Sequence, residues 1–147
     1  LGLEGISIAS DGLPDLQPVP IDTDLTSLPN AHPRASGTYA KALRMARENN
    51  LSLMAVLKQT SYTTAQHFEA AGLSAMAERG RLTEGAFADI VVFDPESVTD
   101  NSTFRKGTLP ASGFTAVLVS GELVLENDRV LLEKVGKGPL PGKAVRY

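Results

Sequence analysis

Few residues in this sequence have the chemistry to act on a substrate, and their spacing limits what they could do. Asp11 stands in Ser10-Asp11-Gly12, where a short apolar run ends. A carboxylate there can take up and release a proton, although Asp-Gly is also an ordinary way to open a turn. Arg34 lies in His32-Pro33-Arg34. Its guanidinium can grip a carboxylate through two parallel hydrogen bonds, or simply lie along the surface as a loop arginine. His32 and His67 are the only histidines. Each stands alone, with no second ligand at a metal-binding spacing. His32, just before a proline, is better suited to ordering its loop. His67, beside Phe68 in a helical pattern, suits packing or the surface. No Gly-rich phosphate loop, Ser-His-Asp ordering or nucleic-acid motif is present.

Composition narrows the classes further. The chain has 147 residues, about one domain. Net charge is −3 with no basic run, which excludes a phosphate-tracking nucleic-acid partner. No apolar stretch reaches the length of a transmembrane helix, so no membrane partner is expected. The absence of cysteine excludes disulfides, and a cytoplasmic location fits.

The elements that must carry Asp11 and Arg34 follow from periodicity. Gly5–Ser10 alternates apolar and small residues, with Ile6 and Ile8 on one side, and predicts a short buried strand ended by Asp11-Gly12. Residues 13–33 form a loop with prolines at 14, 18, 20, 29 and 33. Its length and its place after a strand end predict an active-site rim. Tyr39, Ala42, Leu43 and Ala46 then make one apolar helical stripe, with Tyr39 in the core and Lys41, Arg44 and Arg47 free to reach solvent. Asn49-Asn50 breaks this helix, and Ser52 caps a second with Leu53, Val56 and Leu57 buried. A third covers about Thr63–Ala71 and stops at Gly72, and Ser74–Glu78 adds a further turn. From Gly80 the period changes to that of strands: Ala88–Phe93, Thr115–Val119, Glu122–Leu125 and Arg129–Leu132, with turns at Ser120-Gly121 and Asn127-Asp128. Val98–Pro110 reads as polar and irregular, and residues 134–147 as extended. Helices followed by strands indicate an α+β arrangement. A single strand at 5–10 cannot make a sheet without partners that the chain does not supply. The start at Leu1-Gly2-Leu3-Glu4, with neither Met nor leader, points to a segment of something longer, with a processed N-terminus as the alternative.

Three stretches together resemble the amidohydrolase superfamily of metal-dependent hydrolases, in its N-acyl-D-amino-acid deacylase (D-aminoacylase) branch. Ile8-Ala9-Ser10-Asp11-Gly12 is similar to the end of that branch's eighth barrel strand. His32-Pro33-Arg34-Ala35-Ser36-Gly37-Thr38-Tyr39 resembles its His-Pro-Arg-x-x-Gly-Thr-[Phe/Tyr] stretch before the last barrel helix. Residues 80–94, Gly80-Arg81-Leu82 through Ala88-Asp89-Ile90-Val91-Val92-Phe93-Asp94, resemble the superfamily's return into the small β-domain outside the barrel, and Val117–Val124 its closing hairpin. Ser-Asp-Gly alone is unspecific; residues 80–94 carry the superfamily and the His-Pro-Arg stretch the branch.

The resemblance implies an α+β fragment of an α/β protein: the last strand and helices of a (β/α)8 TIM barrel over residues 1–79, then C-terminal strands of the small β-sandwich domain over residues 80–147. It implies hydrolysis of a linear amide C–N bond, as in an N-acyl-D-amino acid, by a metal-activated water. Asp11 would accept the water's proton, pass it to the leaving amine and also ligate the metal. Arg34 would hold the substrate's carboxylate. Tyr39 would be core, and Asp89 and Asp94 structural, Asp89 accepting backbone amides. The implied cofactor is a divalent metal, zinc foremost, with most ligands outside this chain, so the 147 residues alone are expected to be inactive. The implied partners are a small carboxylate-bearing amide and the remaining barrel segment, with exposed faces favouring oligomers. One departure stands out: 22 residues separate Asp11 from Arg34, more than is usual in that branch, which bears on substrate specificity. A dihydroorotase- or hydantoinase-like cyclic amidase, and a non-catalytic β-domain binding module, are the competing readings.

Overall fold

The computed structural model describes residues 1, 3–12, 22–24, 27–131 and 140–145. Most of the loop before Arg34, Leu132 of the last expected strand and much of the C-terminal tail therefore lie outside the described residues.

Helices come first. Helix α1 spans Arg34–Glu48 and buries Gly37, Ala40, Ala42, Leu43 and Ala46, all but Leu43 small enough to let neighbouring backbone approach closely. It ends where Asn50 takes a left-handed conformation (φ 51°) and the Leu51 amide reaches back to the Ala46 carbonyl at 2.8 Å, a Schellman-type closure. Ser52 then caps α2 (Leu53–Leu57), its hydroxyl accepting from the Ala55 amide. A wide π-type turn at Lys58–Tyr62 carries the chain into α3 (Thr63–Ala70), so 53–70 is one continuous helical run. Gly72 (φ 100°) stops it, and Ser74–Glu78 is a 3₁₀ turn.

The strands form one antiparallel sheet in sequential order: β1 (Ile90–Phe93), β2 (Phe114–Val119), β3 (Glu122–Glu126) and β4 (Arg129–Val130). Register aligns Val91 with Val117 and Val117 with Leu125, and β4 folds back on β3 through Glu126 and Arg129. Both hairpin turns have positive φ at their two central residues, Ser120-Gly121 and Asn127-Asp128, the geometry that matches strand twist.

The core lies where the two halves meet. Ala40, Ala42, Leu43 and Ala46 of α1, Val56 of α2 and Val98 after β1 form one buried cluster, with Ile8, Phe93 and Phe114 packed on it. No helix among the described residues is long and apolar enough to cross a membrane.

Three expectations need correction. Gly5–Ser10 is not a strand: it leaves a turn at Gly5 (φ 72°), and the Ile8 N–H donates to the Gln59 carbonyl of the helical run at 2.9 Å. A ladder needs a parallel or antiparallel partner, and a helix offers isolated carbonyls instead. Ile6 is also exposed rather than buried. Tyr39 is 48% exposed and not in the core, because α1 turns Ala40 and Leu43 inward. Arg44 and Arg47 are not left to solvent. Arg44 pairs with Asp100 and Glu48, and Arg47 donates to the carbonyls of Pro95 and Val98.

Candidate functional site

Asp11 and Arg34 come together. The segment bearing Asp11 is laid down by Ile8, which packs on the core and is tied to Gln59. The Gln59 side chain, itself buried, donates to the Leu3 carbonyl at 2.7 Å. Asp11 follows in a left-handed conformation (φ 47°), with the Gly12 amide donating to the Ser10 hydroxyl. This presents the carboxylate outward, 82% exposed, with one oxygen 3.4 Å from the Arg34 guanidinium. An ion pair this exposed adds little stability; its consequence is geometric, placing a carboxylate and a guanidinium on facing segments.

Arg34 opens α1, and its surroundings are far more crowded than those of Asp11. The Arg34 amide donates to His32 Nδ1 at 3.2 Å. The His32 ring meets Phe104 edge to face, centroids 5.2 Å apart. His32 therefore orders the loop, as its sequence context indicates. The loop between β1 and β2 supplies the rest. Asn30 donates to the Phe104 carbonyl and accepts from the Gly107 amide, both at 2.8 Å. The Ser36 hydroxyl donates to the Gly107 carbonyl at 2.7 Å, and the Ser102 hydroxyl to the Pro33 carbonyl at 3.0 Å. Gly107 lies against the Ala31 carbonyl and Gly37 against Ser102 so closely that a Cβ at either position would overlap its neighbour. Sequence reading missed Asn30, Ser102 and Gly107. The available signal was an irregular polar run at 98–110, too long for a simple connection.

The base of that loop is anchored electrostatically. Asp100, its side chain only 10% exposed, receives Arg44 Nε at 2.7 Å. Asp100 and then Glu48 push the Arg44 guanidinium well above its ordinary range, so it stays charged at any working pH. Asp94 caps the turn after β1. Its carboxyl is held below the ordinary aspartate range by the Glu96 amide, then the Ser97 hydroxyl, with a further contribution from Arg47.

Other candidates are structural. His67 is exposed, its Nδ1 3.2 Å from the Ser7 hydroxyl. Asp89 accepts from the Ser120 amide at 2.8 Å and pairs with Arg79, clasping the turn between β2 and β3. Gly80 and Gly85 take positive φ at their turns. Two shallow surface depressions, one lined by residues between Ala77 and Ala86 and the other by residues around Arg47 and Pro95, include neither Asp11 nor Arg34. Among the described residues no three His, Cys, Asp or Glu side chains converge as a metal site would require. Asp11 alone does not fit a resident metal.

No protein-family model matches the chain. Curated relatives do. An N-acyl-D-aspartate deacylase from Alcaligenes xylosoxydans xylosoxydans is 36% identical over 144 residues, covering 96% of this chain and 25% of the relative. Among solved structures, an N-acyl-D-glutamate deacylase from Bordetella bronchiseptica, complexed with zinc and a phosphonate inhibitor, matches with TM-score 0.67 and 32% identity over 80% of this chain and 23% of that one. A D-aminoacylase studied for the functional role of its binuclear metal centre matches with TM-score 0.62 and 35% identity, covering 69% of this chain and 21% of that one. The chain thus spans about a quarter of the length of these relatives. Over that quarter it is homologous to the N-acyl-D-amino-acid deacylases, the D-aminoacylase family of amidohydrolases.

Proposed function

We propose that this chain is the C-terminal portion of an amidohydrolase that cleaves the linear amide bond of an N-acyl-D-amino acid. In this reading residues 1–79 are the end of a TIM-barrel catalytic domain and residues 80–147 part of the small β-domain. The observation that carries it is the facing of Asp11 and Arg34, 3.4 Å apart with the Asp11 carboxylate exposed, in a chain homologous to deacylases. Asp11 is the proton acceptor and donor, and Arg34 holds the substrate's free carboxylate by a bidentate grip. A divalent metal, zinc foremost, would be held mainly by ligands outside this chain, with Asp11 as one contributing carboxylate, and would supply activation of the attacking water. The 147 residues alone are therefore inactive, and their partners are the carboxylate-bearing amide and the remaining barrel.

The test is made in the full-length protein with an N-acetyl-D-amino acid as substrate. Asp11→Asn lowers kcat by about 10²- to 10⁴-fold while the unfolding midpoint of the metal-free protein stays put, since the side chain is 82% exposed. Retained turnover in a folded Asp11→Asn protein would sink the assignment.

A further inference from the structure

The clamp on the segment before α1 bears on substrate choice. Arg34 is flanked on both sides by groups that the β1–β2 loop holds. Upstream, Asn30 spans the Phe104 carbonyl and the Gly107 amide, Ser102 binds the Pro33 carbonyl, and Phe104 braces His32. Downstream, Ser36 binds the Gly107 carbonyl. The glycine contacts leave no slack, because the backbone of residue 107 sits directly on that of residue 31. Asp11, in contrast, touches Arg34 through one exposed ion pair. The backbone that carries Arg34 is therefore fixed from the β-sheet side of the molecule, while its guanidinium extends from that fixed base towards Asp11.

We infer that the β1–β2 loop is a specificity device, with Asn30 as the positioning residue that aims Arg34 at the substrate's carboxylate. This rests on the reading of Arg34 given above. A side chain that binds by two parallel hydrogen bonds is sensitive to small rotations, and a misplacement of about 1 Å can cost a factor of the order of 10² in rate. Asn30 touches no reacting atom. It acts through residues 31–34, so its loss should weaken recognition of the carboxylate without harming the chemical step.

The experiment compares two substrates in the full-length protein: an N-acetyl-D-amino acid and the matching carboxamide, which keeps the scissile amide and side chain but lacks the negative charge. Asn30→Ala should raise KM for the acid by about tenfold with kcat near wild type, and leave kcat/KM for the carboxamide unchanged. In an Arg34→Met background the same substitution should add nothing, since the group it aims is gone. If Asn30→Ala does not fold, Ser102→Ala and Ser36→Ala, each removing one hydrogen bond, are read the same way. An Asn30 or serine variant that lowers both substrates equally, or neither, while Arg34→Met still abolishes discrimination, overturns the inference and spares the role of Arg34. If Arg34→Met itself leaves discrimination intact, the carboxylate grip fails and this inference with it.

Discussion

Two irregular regions, the Asp11 segment and the β1–β2 loop, are held in opposite ways. The first is tethered by Ile8 and by hydrogen bonds to Gln59, and its acidic side chain faces outward. The second buries Val98 completely, places Asp100 under Arg44 and receives Arg47 on two carbonyls. One region carries the candidate acid–base carboxylate and little packing; the other carries much of the packing. Stability invested beside a site, and withheld from it, leaves the site's surface free for ligands.

That contrast can be broken first at Arg44. Arg44→Met strips the partner from a carboxylate that is 10% exposed, and should cost about 3 kcal/mol, read as a fall in urea midpoint. A cost below about 1 kcal/mol would place Arg44 among ordinary surface pairs. Val98→Ala comes next. Two methyl groups leave a site with no solvent access, for a loss of about 2 kcal/mol, without change in KM. An altered KM with unaltered stability would reverse the division of labour between the regions. The smallest effect is at Asp94. Its folded-state carboxyl is held low by the Glu96 amide, the Ser97 hydroxyl and Arg47. Its contribution is therefore present above the unfolded value of about 4 and is lost as pH falls through the lower folded value. The Tm gap between wild type and Asp94→Asn should narrow from pH 6 to pH 3; a constant gap would assign the effect to shape instead of charge.

Local chemistry was legible in the sequence, and encounters between distant segments were not. Ser52 as a cap, Gly72 as a stop and the Ser120-Gly121 and Asn127-Asp128 turns each depend on a few neighbouring residues, and each is found where the pattern puts it. Gly5–Ser10 has the alternation of a strand, but strand formation requires a partner elsewhere, and its recorded partner is a helix carbonyl. Arg44 and Arg47 looked solvent-facing because α1 periodicity says nothing of a loop some fifty residues later that folds over them. At the candidate site, Asp11 and Arg34 were marked by residue type and motif. Asn30 was not, because both its bonds run to backbone groups 74 and 77 residues away, and backbone groups leave no mark on a sequence.

The close seating of Gly107 on Ala31 has an evolutionary consequence. It makes Asn30 a fixed post at the downstream end of the stretch that separates Asp11 from Arg34. Residues can be added or removed before that post without shifting the backbone that carries the arginine, since that backbone is held from the other side. On the proposed reading of Arg34, length variation upstream would reshape the rim of the site while the anchor for the carboxylate keeps its place, so that such a scaffold could diversify in substrate side chain before it risked its grip on the substrate's charge.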